Sequence, residues 1–183
     1  SLQFYVLYRT TIAWIVACGA SAACVAGEPN VEIVAHRGAS FDAPENTLAS
    51  IRLGWEQQAD GVEFDVWLSA DGQIVLHHDK DTKRTAGVDR RIDQQSLEEL
   101  RKLDVGSWKD PRFKGEPIPL LSEALTTIPS GQRVFIEVKC GPEIVPELER
   151  VLAEVNRPAA ETAIISFSGD VCQACKRALP DRK

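Results

Sequence analysis

The sequence predicts an α/β fold in which parallel strands alternate with helices. Three observations support it. Apolar, strand-like runs at 31–38, from Gly61, at 132–139 and at 162–167 alternate with segments of helical spacing at 47–58, 119–128, 142–155 and 168–179. A strand, a helix and a second strand at this spacing favour a parallel sheet. Three of the strands also end in charged residues, and the carboxyl ends of strands are where α/β barrels gather their reactive groups.

The stretch from Gly61 to Asp79 is the one around which the rest of the chain is organised. Its first half alternates, so that Glu63 and Asp65 point to one face and the apolar residues around them point to the other. A core strand seldom carries two carboxylates on one face without a partner, because burying a bare charge costs several kcal/mol. A hard cation is the simplest such partner.

A hairpin is predicted directly after this strand, because Asp71 and Gly72 lie between two apolar runs. If these two residues form a two-residue loop, the register places Asp65 opposite His78, and strand alternation then turns His77 away. A bulged loop would shift the register by one residue and keep the same neighbourhood. The alternative is an edge hairpin whose charges are solvated.

Two further segments frame this region. The helix at 47–58 has Thr47 or Asn46 as its N-cap. Residues 80–117 are polar and contain proline and glycine, which predicts a long excursion from the sheet. One short helix is expected within it near Ser96, which forms a capping box with Glu99.

Charged and polar residues at three strand ends form a candidate site. The three ends carry His36 and Arg37, Glu63 and Asp65, and Glu137 and Lys139. Three carboxylates with no cysteine nearby suit one Ca²⁺ or Mg²⁺ ion rather than a soft metal.

The cations and imidazoles beside these carboxylates predict the chemistry. Arg37 and Lys139, together with a metal ion, would form a pocket for a phosphate group. His36 and His78 can act as an acid and a base near neutral pH. The combination fits cleavage of a phosphodiester. The alternative for His78 is a packed or exposed histidine with no role in catalysis.

Composition limits the partners. The chain has 183 residues, a formal net charge of −6 and scattered basic residues, so no basic stripe for a nucleic acid is visible. No protein partner can be identified from the sequence, and the expected partner is a small phosphodiester.

Residues 1–27 carry a single charge, at Arg9, followed by an uncharged run rich in small residues. This pattern is typical of a secretory signal. The run ending at Cys18 also resembles a bacterial lipoprotein cleavage box, which would attach the chain to a membrane through a lipid, and an alternative cleavage site lies at 20–22. A spurious extension of the reading frame is the remaining alternative. The expected location is secreted, periplasmic or lipid-anchored if the signal is real, and cytoplasmic otherwise.

From about Val31 to Lys183 the sequence resembles the glycerophosphodiester phosphodiesterase family. The resembling residues are His36-Arg37-Gly38-Ala39-Ser40, Pro44-Glu45-Asn46-Thr47, Glu63-Phe64-Asp65-Val66, His78-Asp79, Arg84-Thr85 and Glu137-Val138-Lys139. Their occurrence together and in order makes the resemblance specific.

The resemblance implies a distorted (β/α)₈ barrel of the TIM type and a set of roles. Glu63, Asp65 and Glu137 would hold one divalent cation, His36 and His78 would be the acid and base, and the remaining two, Arg37 and Lys139, would bind phosphate. Residues 80–117 match an insertion over the barrel mouth. The products would be sn-glycerol 3-phosphate and an alcohol. The related alternatives are a phospholipase acting on lysophospholipids or phosphoinositides, and an inactive chain that binds only metal or phosphate.

The chain differs from the family in length. A complete barrel needs about 250 residues, so residues 31–183 correspond to a partial domain that lacks roughly the last three strands. The chain alone is therefore not expected to be an active monomer. Inward-facing Val34, Val62 and Ile136 would lose their packing partners, and the open sheet edges would favour association.

Overall fold

The computed structural model describes residues 6–8 and 31–182 and contains an α/β sheet. Its strands are β1 (Val6–Tyr8), β2 (Val31–His36), β3 (Gly61–Leu68), β4 (Ile74–Leu76), β5 (Arg133–Val138) and β6 (Thr162–Ile165). The sheet order is β1-β2-β3-β5-β6, and β4 pairs with β3 outside this path. Strands β2, β3, β5 and β6 are parallel to one another, whereas β1 and β4 are antiparallel to their neighbours. The arrangement is part of a (β/α)₈ barrel, as predicted.

The helices lie between the strands in chain order. They are α1 (Leu48–Glu56), α2 (Lys83–Ala86), α3 (Leu97–Arg101), α4 (Leu121–Thr126), α5 (Val145–Val155) and α6 (Gly169–Ala178). Helix α1 begins after Thr47, whose side chain accepts a hydrogen bond from the Ser50 amide and selects Thr47 rather than Asn46 as the N-cap. Within residues 6–8 and 31–182, none of these helices has the length and apolar character of a membrane span.

Strand β3 lies at the centre of the sheet, and its side chains alternate between the two faces of the sheet. Its apolar residues Val62, Phe64 and Val66 are buried in the main core, which also contains residues of α1, α4, α5 and α6. The other face is much more polar, and its small apolar cluster consists of Val34, Phe135 and Ala163.

This division corrects one expectation. Val62 and Ile136 do not face inward with Val34, because they belong to the core beneath the helices, where they are 1% and 0% exposed. Alternation of side chains along a strand places them opposite Glu63 and Glu137. Their packing is therefore provided by helices that are present in the structure.

The hairpin between β3 and β4 has a register one residue away from the predicted one. Leu68 pairs with Ile74, and the Ser69 amide donates to the Gln73 carbonyl at 2.9 Å, so the loop between Ser69 and Gln73 has three residues. Its last residue, Gly72, adopts a left-handed conformation with φ +75°. This is the common three-residue hairpin loop with a bulge. The amide of His77 donates to the carbonyl of Asp65, and the prediction that His78 lies opposite Asp65 is wrong.

Residues 80–117 contain α2 and α3, and they share a small apolar core with residues on either side of the segment. Ser96 and Glu99 form the predicted capping box at the start of α3. Ile92, Leu100 and Ile118 are buried together with Val75 of β4, so the segment is anchored to the hairpin.

The prediction of a signal or lipoprotein box falls on residues 1–27, of which the structure describes only 6–8. These three residues form β1, which pairs with the outer edge of β2. The cleavage sites near Cys18 and at 20–22 lie outside the described residues.

Candidate active site

The turn after β2 directs backbone N–H groups at Glu63. Arg37 and Gly38 both have positive φ, +57° and +72°. The turned backbone lets the Arg37 amide donate to Oε2 of Glu63 at 2.9 Å and the Gly38 amide donate to the Glu63 carbonyl at 3.2 Å. The position of Glu63 is therefore fixed by the turn that carries His36 and Arg37.

Three carboxylates from β3 and β5 lie together at the carboxyl ends of these strands. Asp65 and Glu137 are paired residues of neighbouring strands, and one oxygen from each of Glu63, Asp65 and Glu137 lies within 4.8 Å of the others. Burial, reinforced by repulsion from Asp65, raises the pKa of Glu63 to about 8.

The acidic trio fits a hard divalent cation. Oε1 of Glu63 and Oδ1 of Asp65 are buried and accept no hydrogen bond from the described residues. Carboxylate oxygens without donors are the ligands that Ca²⁺ and Mg²⁺ take in proteins. Each of the three carboxylates could offer one oxygen to an ion between β3 and β5.

Cationic groups surround the trio. Nε of Arg37 lies 3.3 Å from Oδ2 of Asp65, and Nζ of Lys139 donates to Oε1 of Glu137 at 2.8 Å and lies 3.5 Å from Oδ1 of Asp65. Burial alone would lower the pKa of Lys139, but its hydrogen bond to Glu137 and the charge of Asp65 raise it overall. The ammonium group of Lys139 is therefore charged at the site.

His36 lies beside Glu63. Its Nε2 atom is 3.7 Å from Oε2 of Glu63. Burial, and next the charge of Arg37, lower the pKa of His36 below its usual value. The imidazole is therefore neutral at pH 7.

Asn46 holds Asp65 in place through two hydrogen bonds. Its Nδ2 donates to Oδ2 of Asp65 at 2.8 Å, and its Oδ1 accepts from the Asp65 amide at 3.0 Å. Asn46 is buried and adopts a left-handed conformation with φ +57°, which asparagine tolerates better than most residues. The loop between β2 and α1 is thereby joined to β3.

His78 is connected to the site through a chain of hydrogen bonds. Its Nδ1 lies 2.7 Å from Oδ1 of Asp79, whose other oxygen accepts from Nε of Arg84 at 2.7 Å. Arg84 also binds Glu45 with two N–H groups, and Glu45 accepts from Arg37 at 3.1 Å. His77 differs, since it is buried and its Nε2 lies 3.0 Å from the carbonyl of Asp81.

A cavity of about 410 Å³ opens beside the trio. Its walls are formed by Val34, His36, Glu63, Phe135, Glu137, Ile165, Ser166 and Phe167. The lining combines charged and apolar side chains, so the cavity suits a ligand with a charged part and an apolar part.

The family is decided by comparison with known proteins. A family model described as the glycerophosphoryl diester phosphodiesterase family matches residues 36–183. The chain belongs to this family.

Curated relatives of the family support the assignment. The chain is 40% identical over 123 residues to a glycerophosphodiester phosphodiesterase of Caldanaerobacter subterraneus, with 66% of this chain and 50% of the relative covered. It is 41% identical over 145 residues to glycerophosphodiester phosphodiesterase 1 of Mus musculus, with 77% of this chain and 44% of the relative covered. The chain thus spans about half the length of the curated relatives it matches.

Solved structures of the glycerophosphodiester phosphodiesterase family share the fold. The enzyme from Agrobacterium tumefaciens superposes with a TM-score of 0.75 at 33% identity, covering 82% of this chain and 64% of that one. A phosphodiesterase from Oleispira antarctica, in complex with the product sn-glycerol-3-phosphate, superposes with a TM-score of 0.76 at 38% identity, covering 80% and 62%.

The structure brings most of the candidate residues of this family member into one volume. Direct contacts join His36, Arg37, Glu63, Asp65, Glu137 and Lys139, whereas His78 is linked to them through Asp79, Arg84, Glu45 and Arg37. Sequence reasoning gave no role in the site to Glu45, Asp79 or Arg84, and considered Asn46 only as a helix N-cap. The signal that could have found them is their position in the family-like motifs at 44–47, 78–79 and 84–85.

The turn after β2 gives a prediction about Gly38. A Cβ at this position would lie 2.5 Å from the backbone carbon of Ser50, at a φ of +72°. We expect Gly38→Ala to lower the free energy of unfolding by about 1–2 kcal/mol for the left-handed conformation and by about 1–3 kcal/mol more for overpacking. Urea unfolding measures the loss.

Gly72→Ala is the matched control. Gly72 has φ +75°, and a Cβ there would meet no atom within 4 Å. It should show the conformational cost alone, and an equal loss in both variants would contradict the close approach of Gly38 to α1.

Proposed function

We propose that the protein takes part in metal-dependent hydrolysis of glycerophosphodiesters to sn-glycerol 3-phosphate and an alcohol. The observation that carries the proposal is the acidic trio flanked by Arg37, Lys139 and His36. An anionic substrate, a cation and a proton acceptor would meet there. The sn-glycerol-3-phosphate complex of the Oleispira antarctica relative supports the choice of substrate class.

The phosphate group is assigned to Arg37 and Lys139. Their guanidinium and ammonium groups lie next to the trio, and charge-assisted hydrogen bonds are the strong ones for phosphate oxygens. In the structure Arg37 pairs with Asp65, and Lys139 pairs with Asp65 and Glu137. A phosphate oxygen would replace part of these contacts and would keep the net charge of the site balanced.

The acid and base are assigned to the two histidines. The lowered pKa of His36 keeps its ring neutral, which is the form that can remove a proton from a glycerol hydroxyl or from water. His78 is assigned as the acid that gives its proton to the leaving alcohol, and the 2.7 Å contact of its Nδ1 with Oδ1 of Asp79 orients its ring.

The cofactor proposed for Glu63, Asp65 and Glu137 is one Ca²⁺ or Mg²⁺ ion. Such an ion would supply Lewis-acid stabilisation of charge on phosphoryl oxygens. Titration calorimetry with each ion separately would show which one binds more tightly.

The test is release of glycerol 3-phosphate from glycerophosphocholine, with and without a chelator. Hydrolysis that stops on chelation and returns with Ca²⁺ or Mg²⁺ supports the proposal. Full activity in excess chelator overturns the metal dependence. Binding of cation and glycerol 3-phosphate without hydrolysis would instead support the alternative of a chain that binds but does not turn over.

A second candidate is a lysophospholipase D-type activity. It is favoured by the apolar wall of the cavity, to which Val34, Phe135, Ile165 and Phe167 contribute. An acyl chain could lie against this wall while the phosphate reaches Arg37. Comparing kcat/KM for lysophosphatidylcholine and glycerophosphocholine decides between the two substrate classes.

For the amino terminus we propose a secretory or lipoprotein signal in residues 1–27. The support is the uncharged run after Arg9 and the box that ends at Cys18. Cleavage before Cys18 would remove β1 and expose the edge of β2 that it covers. Mass analysis of the mature protein tests this, and unmodified residues 1–27 in the cytosol would reject both signals.

A further inference from the structure

Arg84, in the segment 80–117, links two carboxylates that lie far apart in the chain. Its guanidinium group donates to two carboxylates at once, through Nε to Asp79 at 2.7 Å and through two terminal N–H groups to Glu45 at 2.7 and 3.0 Å. Asp79 and Glu45 are 34 positions apart in the chain, and Arg84 joins them.

Each of these carboxylates holds a different functional group. Asp79 lies 2.7 Å from Nδ1 of His78, and Glu45 accepts a hydrogen bond from Arg37 at 3.1 Å. The proposed acid and a proposed phosphate-binding residue are therefore both one carboxylate away from Arg84. Sequence spacing alone does not reveal this connection.

The charges in this network reinforce one another. Burial would raise the pKa of Asp79, but the hydrogen bonds from Arg84 and His78 outweigh it and lower the pKa to about 2. Burial likewise opposes ionisation of Glu45, and the hydrogen bonds from Arg84 and Arg37 overcome it. Both carboxylates are therefore ionised at neutral and alkaline pH.

Trp108, later in the segment 80–117, also contacts Arg84. The guanidinium carbon of Arg84 lies 5.5 Å from the ring centre of Trp108, within the range of a cation–π contact. The next residue, Lys109, donates to the carbonyl of Ser40 at 2.8 Å, and Arg112 donates to that of Asp42 at 2.8 Å. Arg84 and the residues around Lys109 thus both contact the loop that carries Arg37 and Glu45.

We propose that Arg84 is a positioning residue that orients His78 through Asp79 and Arg37 through Glu45, and so sets the two sides of the site relative to each other. The inference rests on the proposed function. A lysine could keep the charge and the contact with Trp108, but a single ammonium group cannot reproduce a planar fork that binds two carboxylates.

The experiment compares Arg84→Ala, Arg84→Lys and the control Lys83→Ala in the full chain. Lys83 is the neighbouring cation on α2, and it pairs with the exposed Asp89 outside the network. We expect kcat for glycerophosphocholine to fall about tenfold or more in both Arg84 variants, because small misplacements of reacting groups are costly. Lys83→Ala should remain within about twofold, as expected for an exposed ion pair.

Chemical rescue separates positioning from a structural role. Added guanidinium ion at non-denaturing concentration should restore part of the kcat of Arg84→Ala, because it can fill the space between Asp79 and Glu45. It should not restore Arg84→Lys or alter Lys83→Ala. A fall in melting temperature with unchanged kcat of the folded protein would show that Arg84 serves only stability and would overturn the proposal.

A second readout needs no turnover. The ring nitrogens and Nδ1 proton of His78 are followed by NMR in ¹⁵N-histidine-labelled protein, with the signal assigned by His78→Gln. The proposal expects this signal to move or to exchange rapidly in both Arg84 variants and to stay in Lys83→Ala. If wild-type protein hydrolyses no glycerophosphodiester, the proposed function fails separately, and an unchanged His78 signal in Arg84→Ala overturns the present inference.

Discussion

Replacing His36 or His78 by alanine is expected to lower turnover of a glycerophosphodiester by about 10²-fold or more. His36 lies beside Glu63 and is neutral at pH 7, and His78 is held by Asp79. Each ring is proposed to transfer one proton. Loss of His36 would remove the base for the nucleophile, and loss of His78 would remove the acid for the leaving alcohol. The measurement is steady-state kcat at saturating substrate and metal.

His77→Ala is the matched control for these two variants. Its ring is buried and binds the carbonyl of Asp81, so its loss should lower stability while the turnover of the folded protein stays within a few-fold. The observed hairpin register places His77 opposite Asp65, which makes the control informative. Should His77→Ala be the inactive variant and His78→Ala the mild one, the assignment of the acid moves by one residue.

Removing the charge of Glu63 is expected to abolish metal binding and to stabilise the metal-free protein. Burial and Asp65 raise the pKa of Glu63 to about 8, above its ordinary value of 4.5. A carboxyl group whose pKa is raised on folding contributes stability at low pH and loses it as the pH rises towards the folded pKa. Glu63→Gln should therefore melt higher than metal-free wild type at pH 7–8, by about 4 °C or more, with a smaller difference near pH 5.

Addition of Ca²⁺ or Mg²⁺ should make wild type melt at a higher temperature than Glu63→Gln. An ion that binds the folded state raises the melting temperature of wild type, whereas Glu63→Gln should respond weakly and should not hydrolyse substrate. Glu149→Gln, an exposed position on α5, removes the same charge away from the site and should behave as wild type. Equal metal-induced shifts in all three proteins would rule out Glu63 as a ligand.

Much of this fold follows from local patterns. The alternation around Glu63 predicts which residues of β3 face the site. The charged ends of three strands predict that their side chains gather there, and in the structure one oxygen from each of Glu63, Asp65 and Glu137 lies within 4.8 Å of the others. Ser96 with Glu99 predicts the start of α3. In each case the information lies within a few residues, or in a rule that holds for every parallel sheet.

The remaining features depend on contacts that spacing does not encode. Asp71-Gly72 is compatible with a two-residue or a three-residue loop. In the folded chain Asp71 also accepts a hydrogen bond at 2.9 Å from the amide of Leu97, a contact that sequence spacing does not reveal. That difference of one residue exchanges His77 for His78 opposite Asp65. The pairing of Arg84 with Glu45 spans 39 positions and likewise requires the folded chain.

The two hydrogen bonds between Asn46 and Asp65 have a consequence for the rate of substrate capture. They tie the loop that carries Arg37 and Glu45 to the central strand before any ligand arrives, so the conformational entropy of that loop is lost during folding and not during binding. No closure of this loop has to precede contact with the phosphate. The rate at which an anionic ligand associates should then vary with ionic strength and should not be limited by the microsecond-to-millisecond opening of this loop.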